Sequence, residues 1–197
     1  MSAVVWIVLV ILVLVLFWAI GAYNRLVRLK NAIANAFGQI DVQLKRRYDL
    51  IPNLVEVARK YLAHEAQTLE AVIAARNHAH SAEKSAAAAP LNAGALGALA
   101  GAEQMLGGAL GRLFAVAEAY PDLKADQTMR ELSEELASTE NRIGFSRQAF
   151  NDHVLEFNDA AAQFPTLIVA RLFGFLPQAM LESTQSPVER EAVKVSF

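Results

Sequence analysis

The sequence predicts an all-α protein: one N-terminal transmembrane helix that continues into an antiparallel, up-down-up-down helical bundle. Three observations carry this. An uninterrupted apolar run opens the chain. Two later stretches repeat their apolar residues every three, four or seven positions. Strand patterns are nearly absent, apart from the short tail at 192–197.

The opening run, from Ala3 to Ile20, carries no charge, and the first charged residue is Arg25. About 20 apolar residues at 1.5 Å rise cover the ~30 Å hydrocarbon core of a bilayer. Trp6 and Trp18 stand near the two ends, where amphipathic rings favour the interface, and Ala22 closes the span. A cleaved secretory signal needs a basic start and a small-residue cleavage site; neither Met1–Ser2 nor Ala19–Ala22 provides one. Arg25, Arg28 and Lys30 follow the span, with Lys45, Arg46 and Arg47 beyond. The positive-inside bias then predicts a single-pass protein with its N-terminus outside and its domain in the cytoplasm. Residues 1–22 are thus expected to be the anchor, 23–164 the cytoplasmic bundle, and 165–197 an amphipathic segment with a polar tail.

Within the bundle, Leu26, Ile33, Phe37, Ile40 and Leu44 form a helical seam that prolongs the anchor helix. Pro52 predicts a break or kink, with a second helix from Pro52 to about His80. Residues 81–104 are rich in Ala and Gly, and with Pro90, Asn92 and Gly94 they read as a connection. A third helix is expected from about Ala102 to Tyr120, and a fourth from about Leu123 to Phe164 on Met129, Leu132, Leu136, Ile143, Phe150, Val154 and Phe157. Up-down topology would bring the Ala/Gly connection and the C-terminal segment back to the bilayer.

Composition excludes several functions. The net charge is −2, and no nucleic-acid-binding motif is present, so nucleic acid is not an expected partner. With no Cys, disulfides, thiol nucleophiles and thiolate metal sites are ruled out. His64-Glu65 lacks the second His of a zinc-protease motif, since Thr68 holds that place. His78 and His80 are two residues apart and point to different sides of a helix. No catalytic residue, cofactor or metal is therefore expected.

Asp41 and Lys45 make an i,i+4 pair of the favourable order, and Arg46 and Arg47 have Glu140, or Glu131, Glu134 and Glu135, as candidate partners across the bundle. An interhelical ion network, a docking surface and an active site are all open for them. The spacings Gly97-x-x-x-Gly101 and Gly107-x-x-x-Gly111 allow close helix contact. They suit a self-association face, a membrane contact or a flexible connection. Leu172, Phe173 and Phe175 belong to a segment too short to span a bilayer, fitted either to the interface, with Arg171 snorkelling, or to capping the core. The aromatic–Asn pairs Tyr23-Asn24, Phe150-Asn151 and Phe157-Asn158 ask for specific amide partners, such as interhelical hydrogen bonds.

The run from Gln39 to Val55 (QIDVQLKRRYDLIPNLV), with Glu118-Ala-Tyr-Pro-Asp-Leu-Lys-Ala125, Glu140-Asn-Arg-Ile143, Arg147-Gln-Ala-Phe-Asn151 and Phe173-Gly-Phe175, resembles the LemA family over nearly the whole chain. The resemblance implies a bacterial inner-membrane protein with one span, an outside N-terminus and a helical cytoplasmic domain, and it implies no catalytic activity. Members are often encoded beside membrane proteases, and one branch serves magnetosome membranes. The expected function is a non-enzymatic, self-associating membrane scaffold whose partners are lipid, its own copies and other membrane proteins, membrane proteases included. A membrane-shaping protein and an enzyme or protease-complex subunit are the alternatives.

Overall fold

The computed structural model describes residues 3–181, and all its regular structure is helical: α1 Ala3–Arg59, α2 Ala66–Ala88, α3 Ala93–Ala117, α4 Pro121–Ala125, α5 Gln127–Ala162 and α6 Thr166–Leu172. The strand-like tail at 192–197 lies outside the described residues.

Helix α1 runs without a break for 57 residues, about 85 Å at the usual rise. Its first part, through Gly21, is long and apolar enough to cross a membrane and is not buried by the protein. From Leu26 on, one face is buried: Ile33, Phe37, Ile40, Leu44, Tyr48, Ile51 and Leu54 are nearly inaccessible. That face packs along α5, whose Met129, Leu136, Ile143, Phe150 and Phe157 recur every seven residues. The pairs run in opposite chain directions: Tyr61 meets Asp126, Arg46 meets Glu135, Phe37 stacks edge-on against Phe150, and Tyr23 meets Phe173 and Phe175. Burying each of these large side chains is worth about 1.5–3 kcal/mol. Helices α2 and α3 pack on each other, and α2 lies on α1.

The expected break at Pro52 does not occur. A helical proline leaves the carbonyl four residues earlier without its donor, here that of Tyr48. Arg76 on α2 supplies the missing bond, its Nε donating to the Tyr48 carbonyl at 3.0 Å. The turn falls instead at 60–65, just past Arg59.

The Ala/Gly region also differs from expectation. It is helix on both sides of a short turn at 89–92, not a connection over 81–104. Alanine is the strongest helix former, so the Ala run continues α2 to Ala88. Asn92 caps α3, its side chain accepting the Ala95 N–H at 2.9 Å, which starts that helix at Ala93 rather than Ala102. Glu83 lies beside Lys45, so α2, which ends five residues later, stops level with about residue 40 of α1, roughly 27 Å along the helix from Ala22. The turn therefore stops short of the apolar end of α1, contrary to expectation, whereas Phe173 at the end of α6 packs on Tyr23 there.

The start of the last long helix is divided in two: Asp126 ends α4 and caps α5, accepting the Met129 N–H at 2.9 Å. Asn151 and Asn158 do find partners, but the partner is main chain. Each amide both donates to and accepts from one residue of the extended C-terminal segment, Leu181 and Gln178 respectively, at 2.7–3.0 Å. Seven residues apart, they hold that segment along one face of α5. Gly174, at a φ of 71°, makes the left-handed turn that lets the chain leave α6.

Arg76→Ala should cost about 1–3 kcal/mol, because it orphans the Tyr48 carbonyl. In a Pro52→Ala background, where residue 52 regains its N–H, that cost should fall to a fraction. Unfolding of the four proteins in mild detergent measures the coupling.

Candidate functional site

The polar residues clustered on α1 converge on two buried charge sites and one exposed bridge. The first centres on Glu103, buried on α3. Its Oε2 accepts from Arg47 Nη1 at 2.8 Å, its Oε1 from the Tyr48 hydroxyl at 2.6 Å, and Arg147 Nη2 of α5 stands 3.9 Å away. Arg47, itself buried, also pairs with Glu140 of α5 at 2.8 Å. One carboxylate thereby ties α1, α3 and α5 together. Burial, with the Glu103 charge behind it, pushes the Tyr48 hydroxyl well above its ordinary range, so it stays a donor.

The second site joins α1 to α2. Asp41 pairs with Lys45 at 2.6 Å, as the i,i+4 spacing predicts. Fully buried Glu83 faces them, with Lys45 Nζ at 3.8 Å and His80 Nδ1 at 3.5 Å. Asp41 Oδ1 and both Glu83 oxygens find no donor within hydrogen-bonding reach. A proton kept on Glu83 turns one of these acceptors into a donor toward Asp41. Burial and the Asp41 carboxylate push Glu83 up to about 7. Asp41 is held below its usual value: burial opposes this, but Glu83, Lys45 and His80 together outweigh it. Burial likewise holds the His80 imidazole low. Such a carboxyl is chemically able to exchange a proton near neutrality, yet it is closed to any substrate. Among the described residues, no group of three or more His, Asp or Glu is arranged to hold a metal ion.

The exposed bridge joins Arg46 to Glu135 of α5 and borders an open groove of about 360 Å³ that also takes in Val42, Ser138 and Arg142. Gly97, Gly101 and Gly111 are exposed on α3, the helix that carries Glu103, and Gly107 is half-buried. Leu172 and Phe173 are exposed at the other end of the molecule, and Phe175 is partly buried against the core. Of the anchor residues, Ala3, Trp6, Trp18 and Ile20 are not buried by the protein, while Ala22 is.

Glu103 and Glu83 were not among the candidates read from the sequence, because both fall in the stretch taken as a connection. A signal existed for Glu103. It interrupts the seam Leu96, Leu99, Leu106, Leu110, Leu113 at the position between Leu99 and Leu106, where an apolar residue belongs. A charge on a buried seam calls for buried counter-charges.

Glu103→Ala should destabilise the fold by about 3–5 kcal/mol, since it leaves Arg47 and Arg147 facing a buried gap; chemical unfolding in detergent measures it. The Glu83 pair predicts a pH dependence. The folded chain keeps the Glu83 proton up to about 7, whereas the unfolded chain releases it near 4.5, so this contribution to stability falls as pH rises from 4.5 through 7. His80 acts oppositely below 6.5. The Glu83 effect is therefore read as the difference between wild type and Glu83→Gln. Raising pH from 5 to 8 should lower the wild-type melting midpoint relative to the variant by several degrees, at about 2–4 °C per kcal/mol.

Comparison with known proteins places this arrangement in a family. The LemA family model matches residues 36–197. Magnetosome protein MamQ of Magnetospirillum gryphiswaldense is 28% identical over 168 residues, covering 78% of this chain and 62% of the relative. Magnetosome protein MamQ 2 of Paramagnetospirillum magneticum is 27% identical over the same shares. This chain therefore spans less than two thirds of the length of those relatives. With a matched region that takes in α5, α6, both buried charge sites and most of the α1 seam, the chain belongs to the LemA family.

Proposed function

We propose that this protein is a membrane-anchored, non-enzymatic scaffold that self-associates at the bacterial inner membrane through its helical domain. In this reading Ala3–Ala22 crosses the bilayer once with the N-terminus outside, the orientation favoured by Arg25, Arg28 and Lys30 after the span. The remainder of α1, with α2, α3 and α5, forms an antiparallel bundle held upright on that span.

The observation that carries the self-association reading is the outer face of α3. Gly94, Gly97, Gly101, Gln104, Gly108 and Gly111 follow each other by alternating three and four residues, nearly opposite the buried leucine seam. This is the spacing of a coiled-coil contact row. Glycine inside a helix costs about 0.5–1 kcal/mol relative to alanine. No internal contact requires it here: a Cβ added at Gly97, Gly101, Gly108 or Gly111 would meet nothing within 4 Å. A row of costly glycines with no use inside the monomer fits close approach by another helix, and a second copy of α3 supplies the same smooth face. Other proteins of the same membrane are the partners such an assembly would gather, and the magnetosome proteins among its relatives are consistent with a membrane role.

The triple variant Gly97→Ala/Gly101→Ala/Gly108→Ala separates the roles. The monomer should become more stable, by about 1–3 kcal/mol in total. Self-association, read by in-membrane crosslinking and by mass in mild detergent, should be lost. A wild-type protein that stays monomeric at high concentration, or a triple variant that associates as before, refutes the proposal.

A further inference from the structure

The polypeptide that follows α5 returns to the end of the apolar span. Tyr23 is the first residue after Ala22, and its ring meets Phe173 at 4.9 Å and Phe175 at 5.5 Å, both edge-on. If the twenty residues Ala3–Ala22 fill the hydrocarbon core, Tyr23 sits at its boundary, and the polar layer beyond is about 5–7 Å thick. Groups packed on Tyr23 then lie within that layer.

The segment is built for such a place. Ile168 and Leu172, four residues apart on α6, are exposed together and Phe164 is exposed just before that helix, while Val169 and Ala170 are buried in the core. Phe164 is 81% exposed, Leu172 77% and Leu176 71%. In water, so many large apolar groups on one short segment mark a contact surface. No acidic residue occurs from 164 to 176, and the exposed cations Arg171, Arg25, Arg28 and Lys30 lie in the segment itself or within a few residues of Tyr23. Anionic headgroups complement that set. The segment is also fixed in place: the Asn158 and Asn151 amides hold the main chain immediately after it to α5.

We infer that residues 164–176 form a second membrane contact, lying in the headgroup layer of the same bilayer that α1 crosses and binding anionic lipid. The inference rests on the reading of Ala3–Ala22 as a span. It gives the bundle two footholds on one membrane surface: the span fixes depth, and the α6 shelf fixes tilt and rotation about α1.

Because the chain has no Cys, single cysteines can be placed and labelled with the environment-sensitive fluorophore NBD. The full chain carrying Leu172→Cys, Leu176→Cys, Leu12→Cys or, as the aqueous reference at the exposed 60–65 turn, Ala63→Cys is reconstituted into phosphatidylethanolamine/phosphatidylglycerol vesicles. Quenching is then measured with nitroxides at shallow or deep positions of the lipid chain, and with aqueous iodide. The shelf labels at 172 and 176 should lose most emission to shallow nitroxide and little to iodide. The label at 12 should respond to deep nitroxide, and that at 63 to iodide alone. Deep quenching at 12 with iodide quenching at 172 and 176 overturns the shelf while leaving the span intact. Labels at 172 and 176 shielded from both quenchers mean that protein covers the patch, which also overturns it. Loss of deep quenching at 12 refutes the span itself. Replacing phosphatidylglycerol by neutral lipid should weaken the shallow quenching at 172; unchanged quenching overturns the anionic-lipid preference.

Discussion

Everything else in this protein is arranged along one uninterrupted helix, and where Pro52 leaves a carbonyl of that helix without its donor, one hydrogen bond from a neighbouring helix supplies it. Proline removes a donor and crowds the preceding turn, which ordinarily ends or bends a helix. Here the Arg76 guanidinium answers the freed Tyr48 carbonyl from a neighbouring helix. Helix α1 runs through Pro52 to Arg59 without a break. An unbroken helix transmits orientation, so its apolar end and the helices packed on its later turns are joined without a linker.

The register of the bundle is set by charges at positions where apolar residues would pack as well. Glu103 interrupts a leucine seam, and Arg47 interrupts the matching face of α1; each satisfies the other. Hydrophobic contact alone is non-directional and tolerates slippage between helices. A buried carboxylate with two arginines and a tyrosine around it does not, because any shift leaves a charge without its partner. The Asp41–Glu83 pair works differently. Fully buried Glu83, pushed up to about 7 by burial and by the Asp41 carboxylate, can share a proton with Asp41, and the contact between α1 and α2 is expected to respond to pH near neutrality.

The two ends of the molecule differ in chemistry. Near the span lie the exposed aromatic and aliphatic groups of α6 and a band of Arg and Lys. Away from it, α3 presents a row of glycines with alanine, flanked by exposed Met105 and Arg112. The first surface suits lipid, which accepts irregular bulky side chains. The second suits another helix, which can approach a smooth one closely. In the proposed function the first surface would hold to the membrane and the second would be left for a copy of the chain, which suits lateral assembly.

Much of this was legible along the chain. The apolar span, the seams of α1 and α5, and the Asp41–Lys45 pair each follow from a local period, and a period can be read without knowing the fold. The bounds of α2 and α3 were misread because composition was taken for structure: alanine and glycine looked like a connection, though alanine runs favour helix and only the Asn92 cap marks the true start of α3. The Pro52 break, the partners of Asn151 and Asn158, and the roles of Glu83 and Glu103 were decided by tertiary structure alone. Each depends on a group distant in sequence, from 20 residues away for Gln178 to 56 for Arg47. A proline is a break until another helix brings a donor, and an acid is a surface residue until three helices close around it. The sequence by itself determined which faces must be buried, since that follows from side-chain chemistry and spacing. What would satisfy the polar groups on those faces only packing could decide, because hydrogen bonds and ion pairs act over a few ångströms and depend on which helices meet.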